Sequence, residues 1–288
     1  MKITALILGL ALSPWLPVAA QVTVEVTLEQ EQFLSGETLP AAVRITNRSG
    51  QTLHLGREPD WLTFSVEAHA GSIVSKSAEV PVLGEFTLES SQVATRPVDL
   101  APYFTLNEIG RYQIIATVRI KDWDVQINSK PKSFDIIHGA ELWSKVFGLP
   151  VPDGATNQPP EVRKYTLEQA NYLRSQLRLY FRLTDASGSK VIKVFAIGPM
   201  VNFGNAETQI DKLSNLHVLY QTGARAFSYT VINPDGNVLV RQTYDYIQSR
   251  PRLKVDEEGK IVVTGGQRRP TANDLPTIPE DDAKVEKP

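Results

Sequence analysis

Asp211, His217, Tyr220 and Tyr244 are the residues of this chain most suited to acid–base chemistry. An imidazole can take and return a proton near neutral pH, and Asp211, Tyr220 or Tyr244 could be its partner in a cleft. Such a site also needs a nucleophile or an activated water. No serine motif, cysteine or second nearby histidine supplies one. His217 stands between Leu216 and Val218, so in a strand its side chain points away from both. The sequence therefore reads His217 as a structural residue that is hydrogen-bonded or solvated, and no catalytic residue is assigned. A hydrolase built on His217 is the third-ranked alternative.

A second kind of chemistry is suggested by Asp60-Trp61 and Asp122-Trp123-Asp124. Indole faces stack on sugar rings, and neighbouring carboxylates can bind sugar hydroxyls or calcium. These five residues are the candidate ligand surface. The competing reading has each Trp capping a core and each Asp solvated. His54, His69 and His138 lack ligand spacing and there is no cysteine, so no metal site and no cofactor is expected.

Lys2, the apolar run Ile3 to Leu12, and Val18-Ala19-Ala20 before Gln21 form a secretory signal over 1–20, too short to remain as a membrane span. The expected destination is the periplasm or the extracellular medium, with no membrane anchor after cleavage. The formal net charge of −2 becomes one unit more negative without Lys2. That balance does not favour nucleic acid. A 42% hydrophobic fraction is enough for buried cores without disulfides.

The strands that must position these residues are legible as alternation. Val22, Val24, Val26 and Leu28 oppose Thr23, Glu25, Thr27 and Glu29, and the same period two recurs at Leu39–Ile45, Leu62–Ala68 and Tyr112–Ile120. Weaker strands fit Glu85–Leu88 and Phe134–Ile137. Asn107-Glu108-Ile109-Gly110-Arg111-Tyr112 resembles the turn entering the sixth strand of immunoglobulin-like domains. The resemblance implies a corner contact for the Tyr112 hydroxyl, with Gly110 in the turn. Ile45-Thr46-Asn47-Arg48-Ser49-Gly50-Gln51-Thr52-Leu53 is similar to the second-strand turn of bacterial extracellular immunoglobulin-like modules. Residues 21–137 are thus expected to be an immunoglobulin-like β-sandwich.

Beyond it, 138–160 reads as a linker with a short helical turn, on the stripe Leu142, Trp143, Val146, Phe147 and the prolines that follow. Residues 161–269 read as a β-meander. Within it Asp185-Ala186-Ser187-Gly188, Asn233-Pro234-Asp235-Gly236 and Asp256-Glu257-Glu258-Gly259 mark hairpin turns. A segment around Asp211–Tyr220 matches Asp256 onward at an offset of about 45 residues, similar to a propeller blade. Too little chain is present to close a ring, so an open sheet or sandwich is preferred. The acidic, Pro-rich 270–288 reads as disordered. The fold class is therefore all-β in two domains. The functional expectation is an exported, non-catalytic module that binds or spaces an extracytoplasmic protein or polysaccharide. A proteinase inhibitor (with a loop from Ala70–Thr95) or a carbohydrate-binding module on the first sandwich is the runner-up.

Overall fold

The computed structural model describes residues 22–68, 73–150, 161–201 and 205–276. The signal segment, His69, most of the Pro-rich stretch before Glu161 and the last residues of the tail lie outside them. The architecture is all-β. In chain order the first strands are β1 (Val22–Leu28), β2 (Gln32–Leu34), β3 (Pro40–Asn47), β4 (Leu53–Leu55), β5 (Leu62–Ala68), β6 (Phe86–Leu88), β7 (Val93–Asp99), β8 (Gly110–Ile120), β9 (Val125–Asn128) and β10 (Lys132–Ile137). They form the sheets β1-β3-β7, β2-β10-β8-β5 with β9 beside β8, and the pair β4-β6. One pairing departs from an antiparallel plan: β2 runs parallel to β10.

Two compact units divide the described chain. The first comprises 22–29, 39–105 and 112–133. Its strands form because alternate side chains can be buried together: Val22, Val24 and Val26 on β1, Val43 and Ile45 on β3, Phe64 and Val66 on β5, and Ile114, Ala116, Val118 and Ile120 on β8 are all buried. Each Val, Ile or Phe side chain among them contributes roughly 1.5–3 kcal/mol on removal from water. Tyr112 is buried at the start of that β8 series. Asn47 ends β3 and is fully buried, with every side-chain valence used. Its amide donates to the carbonyls of Gln51 (2.7 Å) and Leu88 (2.9 Å), and its Oδ1 accepts from the Ser49 N–H (3.0 Å) and hydroxyl (2.7 Å).

The second unit takes 30–38, 106–111 and 134–276. Its later strands are β11 (Ala140–Gly148), β12 (Val162–Tyr172), β13 (Gln176–Asp185), β14 (Val191–Pro199), β15 (Glu207–Ile210), β16 (Leu216–Gln221), β17 (Ala226–Ile232), β18 (Val238–Asp245), β19 (Arg252–Val255), β20 (Ile261–Thr264) and β21 (Gln267–Arg269). They run as two meanders, β11-β12-β13-β14 and β15-β16-β17-β18-β21, plus the hairpin β19-β20. Tyr165, Leu167, Leu179, Phe181 and Leu183 of the first meander pack with Leu216, Val218, Tyr220 and Ile232 of the second. That shared core makes the unit a two-sheet sandwich, not a fragment of a propeller. The opposite face of β13 is also buried, where Tyr180 joins Leu34, Ala170 and Val194.

The hairpins share one turn device. Asp211 Oδ1 accepts the N–H of Leu213 (2.9 Å) and Asn215 (2.8 Å); Asn233 Oδ1 accepts from Asp235 (3.1 Å) and Asn237 (2.7 Å); Asp256 Oδ1 accepts from Glu258 (3.0 Å) and Lys260 (2.8 Å). The residue three places on adopts a positive φ each time. At Gly236 and Gly259 this is the conformation glycine tolerates, whereas Ser214 adopts it at φ 63°.

Three expectations need correction. Residues 140–148 are a strand and not a helical turn, because a bulge between Glu141 and Trp143 shifts the alternation by one. The shift turns Trp143 and Phe147 toward the core and leaves Leu142 and Val146 exposed, which on paper imitates a helical stripe. In consequence 138–160 does not separate the domains. Phe147 stacks on Tyr165 at 3.9 Å, and the Leu149 N–H donates to the Glu161 carbonyl at 2.8 Å, so both flanks belong to one hairpin. Finally, 270–276 is ordered. Asp274 is buried and accepts from Arg268 (2.5 Å) and the Thr271 hydroxyl (2.8 Å), while Leu275 and Arg241 exchange backbone hydrogen bonds of 3.0 Å.

A protease site engineered between Asn157 and Gln158 tests the hairpin. After cutting, the two fragments should co-elute on gel filtration in native buffer and separate only in denaturant, because the β11–β12 ladder and the Phe147–Tyr165 stack hold them together. Separation of the fragments in native buffer would contradict the pairing.

Candidate functional site

The β15–β16 hairpin turn places Asp211 beside His217 on β16. Leu219 pairs with Tyr229, which sets the Tyr229 ring diagonally across from His217 on the same face. The result is a buried relay: Tyr229 Oη lies 2.7 Å from His217 Nδ1, and His217 Nε2 lies 3.2 Å from Asp211 Oδ2. The imidazole is 9% exposed, and Leu219, Val231 and Leu253 share the neighbouring core.

Burial, with the nearby Tyr244 and Asp211, pushes the Tyr229 hydroxyl up to about 12. It therefore keeps its proton; an ionised Asp211 can only accept, so Nε2 carries a proton toward it and, on a neutral ring, Nδ1 accepts from the Tyr229 hydroxyl. Burial opposes ionisation of Asp211. Hydrogen bonds from the Asn215 side chain and backbone, then His217 and the Leu213 N–H, outweigh it and hold that carboxyl below the usual range. Sequence alone offers Asp211, Tyr220 and Tyr244 as partners. The structure confirms the geometry for Asp211, adds Tyr229, and sends Tyr220 into the opposite core. Both ring nitrogens are bonded to protein groups, and the relay links the β15–β16 turn to β16 and β17.

The Trp–Asp surface lies in the first unit. Trp61 is buried, not a platform. Its indole N–H donates to the Val82 carbonyl at 2.8 Å, and its ring packs edge-on against Phe86 at 5.6 Å. Beside it is a cleft of about 30 Å³, lined in part by His54, Gly56, Arg57, Lys121 and Asp122, with room for about one water. Gly56 is required there, since a Cβ would meet the Gly84 carbonyl oxygen at 2.1 Å. The charges around the cleft neutralise each other: Arg57 pairs with Glu85 and Arg119 with Asp60 (both 2.7 Å), and Lys121 pairs with Glu58. Asp60, Trp61 and Asp122 are therefore brought to one place, while Trp123 is half-buried and Asp124 exposed on the adjoining turn. The 73–85 part of the long loop is tied down. Ser77 N–H donates to the Tyr103 carbonyl and Thr105 N–H to Ser75, both near 3 Å, and Val80 and Val82 are buried.

Sequence reading missed two polar centres of the second unit. Glu37 is buried and accepts the Leu34 N–H at 2.9 Å and the Gln30 amide at 3.0 Å; burial still pushes its carboxyl up. Arg182 donates to both oxygens of Glu168 at 3.0–3.1 Å. Only the strand register, which no single segment encodes, brings Arg182 and Glu168 together. Among the described residues no group of three His, Cys, Asp or Glu side chains could hold a metal ion, and no helix is long and apolar enough to cross a membrane.

No family model matches this chain, and no curated protein sequence does. Among solved structures the chain is similar to Spo0M, a sporulation control protein from Bacillus subtilis. The identity is 12%, the match covers 62% of this chain and 91% of that one, and the TM-score is 0.30.

Tyr229→Phe should leave His217 Nδ1 buried without a donor and cost about 1–3 kcal/mol, read by urea denaturation. A change within about 0.3 kcal/mol, the usual additivity error, would reject the relay as a structural element. The acid limb of stability provides a separate check. Asp211 and Asp274 both have folded pKa values held below 3.8. Their ionised forms therefore stabilise the fold above about pH 4, and this contribution is lost as pH falls through the folded values. Asp274→Asn should flatten the decline in melting temperature below about pH 4 relative to the parent chain.

Proposed function

We propose that this chain is an exported, non-catalytic module that binds or spaces a partner outside the cytoplasm. The observation that carries the proposal is the fate of its reactive-looking groups. His217 spends both nitrogens on Asp211 and Tyr229. Trp61 spends its indole on Val82. The cations around it are paired with carboxylates. Groups committed in this way hold strands and loops in place. Export is supported by the signal pattern of residues 1–20, and the absence of cysteine frees folding from any redox requirement at the destination.

Expression of the complete chain in a bacterium with a secretory pathway should give a mature product beginning at Gln21 in the periplasmic fraction or the medium, identified by intact mass. A cytoplasmic product that retains residues 1–20 would overturn the export reading. The non-catalytic reading would fall if a hydrolytic activity disappeared in a folded His217→Gln variant.

A further inference from the structure

We propose that the free edge of β1 is a binding site for an extended peptide segment of another protein, taken up as an additional strand. The proposal rests on the binding role argued above and gives that role a surface.

The sheet β1-β3-β7 ends in two edges of different construction. On β7, Pro97 stands mid-strand opposite Ala42 and has no N–H to offer. Proline is one of the devices by which natural edges resist further pairing. β1 carries a single charge, Glu25, and neither proline nor a bulge. Its residues Val22–Leu28 include no proline and no lysine, and their register with β3 runs from Val22↔Asn47 to Leu28↔Ala41 without a bulge. On alternate residues the backbone N–H and C=O point away from β3. No strand pairs with that side among the described residues.

Beside this edge runs a groove of about 560 Å³, lined by Val22–Thr27 together with Ile127, Asn128, Lys130, Pro131 and Lys132. A strand added at the usual ~4.8 Å spacing would direct half of its side chains toward the buried level of Val22, Val24, Val26 and Ile127. The other half would lie with Thr23, Glu25 and Thr27 at the solvent face. The free backbone thus specifies an extended peptide, and the groove gives its inward side chains a place.

Charge narrows the choice of segment. Lys130 and Lys132 form no ion pair among the described residues, and Glu25 is the one acid in the lining. A partner strand with apolar residues on one face and carboxylates within reach of the two lysines complements this groove. A second copy of β1 does not. Antiparallel pairing about the strand centre sets Glu25 against Glu25, and like charges directly opposite are destabilising.

The test uses the full mature chain and a capped synthetic peptide of β1's length with valine on its inward face and, on its outward face, threonine opposite Glu25 and aspartate at the other positions. The controls are the same peptide N-methylated on alternate residues and a valine–lysine analogue. Binding in the roughly micromolar range is expected, weakened about tenfold or more by N-methylation. Hydrogen exchange should slow at alternate β1 amides and nowhere on β7. The double variant Lys130→Glu with Lys132→Glu, its fold checked by thermal melt, should reverse the preference toward the lysine peptide. Unchanged β1 exchange at saturating peptide, or equal affinity for the N-methylated form, overturns the proposal. So does a peptide-free dimer that already protects β1. A chain that is exported to Gln21 but fails these measurements would keep the broader reading and lose only this surface.

Discussion

Strand register in this protein is held by short polar side chains placed just where the strands end. Asn47 in the first unit and Asp211, Asn233 and Asp256 in the second each accept the N–H of the residue two places on. A slip of one residue would exchange the inner and outer faces of a whole strand, so fixing the turn fixes the core. Ser214 shows how strong that demand is. Its left-handed backbone costs roughly 1–2 kcal/mol. The cost is offset because its hydroxyl donates to the Gly148 carbonyl at 2.8 Å and its carbonyl accepts the Tyr165 hydroxyl at 2.9 Å. The turn that sets the register of β15 and β16 also ties that meander to the other sheet of the same unit.

The His217 relay is best understood from this starting point. Asp211 has two duties: its Oδ1 closes the turn while its Oδ2 faces the imidazole. A buried polar network is stable only when all of its members are satisfied, because an unpaired group in a low dielectric is expensive. Tyr229 completes the set. The charged cluster around Trp61 follows the opposite logic, with exposed pairs that each contribute little and keep the region near neutrality. In both places side-chain chemistry is turned inward or cancelled. The outer edge of β1, by contrast, is backbone that no strand pairs with among the described residues.

What could be read in the residues, and what could not, follows from the range of the interactions. Period-two alternation in Val22–Leu28 and Tyr112–Ile120 is local, and it carried β1 and β8 correctly. The turn motifs at Asp185, Asn233 and Asp256 are equally local, and each does connect two strands. Sequence failed where distant pairings decide. The bulge after Glu141 disguised β11 as a helix, and its true nature depends on pairing with β12. Tyr229 became a partner of His217 only once β16 and β17 were in register. The polar composition around Asp274 suggested disorder, yet Arg268 and Thr271 satisfy its carboxylate within a few residues. Composition measures the means to bury apolar surface, and it is blind to polar groups that bury one another.

The closing pairs of β11 and β12 have a consequence for how the chain can change. Gly148 faces Val162, and the Leu149–Glu161 hydrogen bond seals the end of the ladder. Whatever lies between those residues is anchored at both ends by pairing that does not depend on its length. Loop-closure entropy grows only slowly, by about 0.6 kcal/mol for each doubling. This point in the chain can therefore accept added segments, and even an inserted domain, with little loss of stability, while the same insertion in the Asp211 turn would break the register of the core.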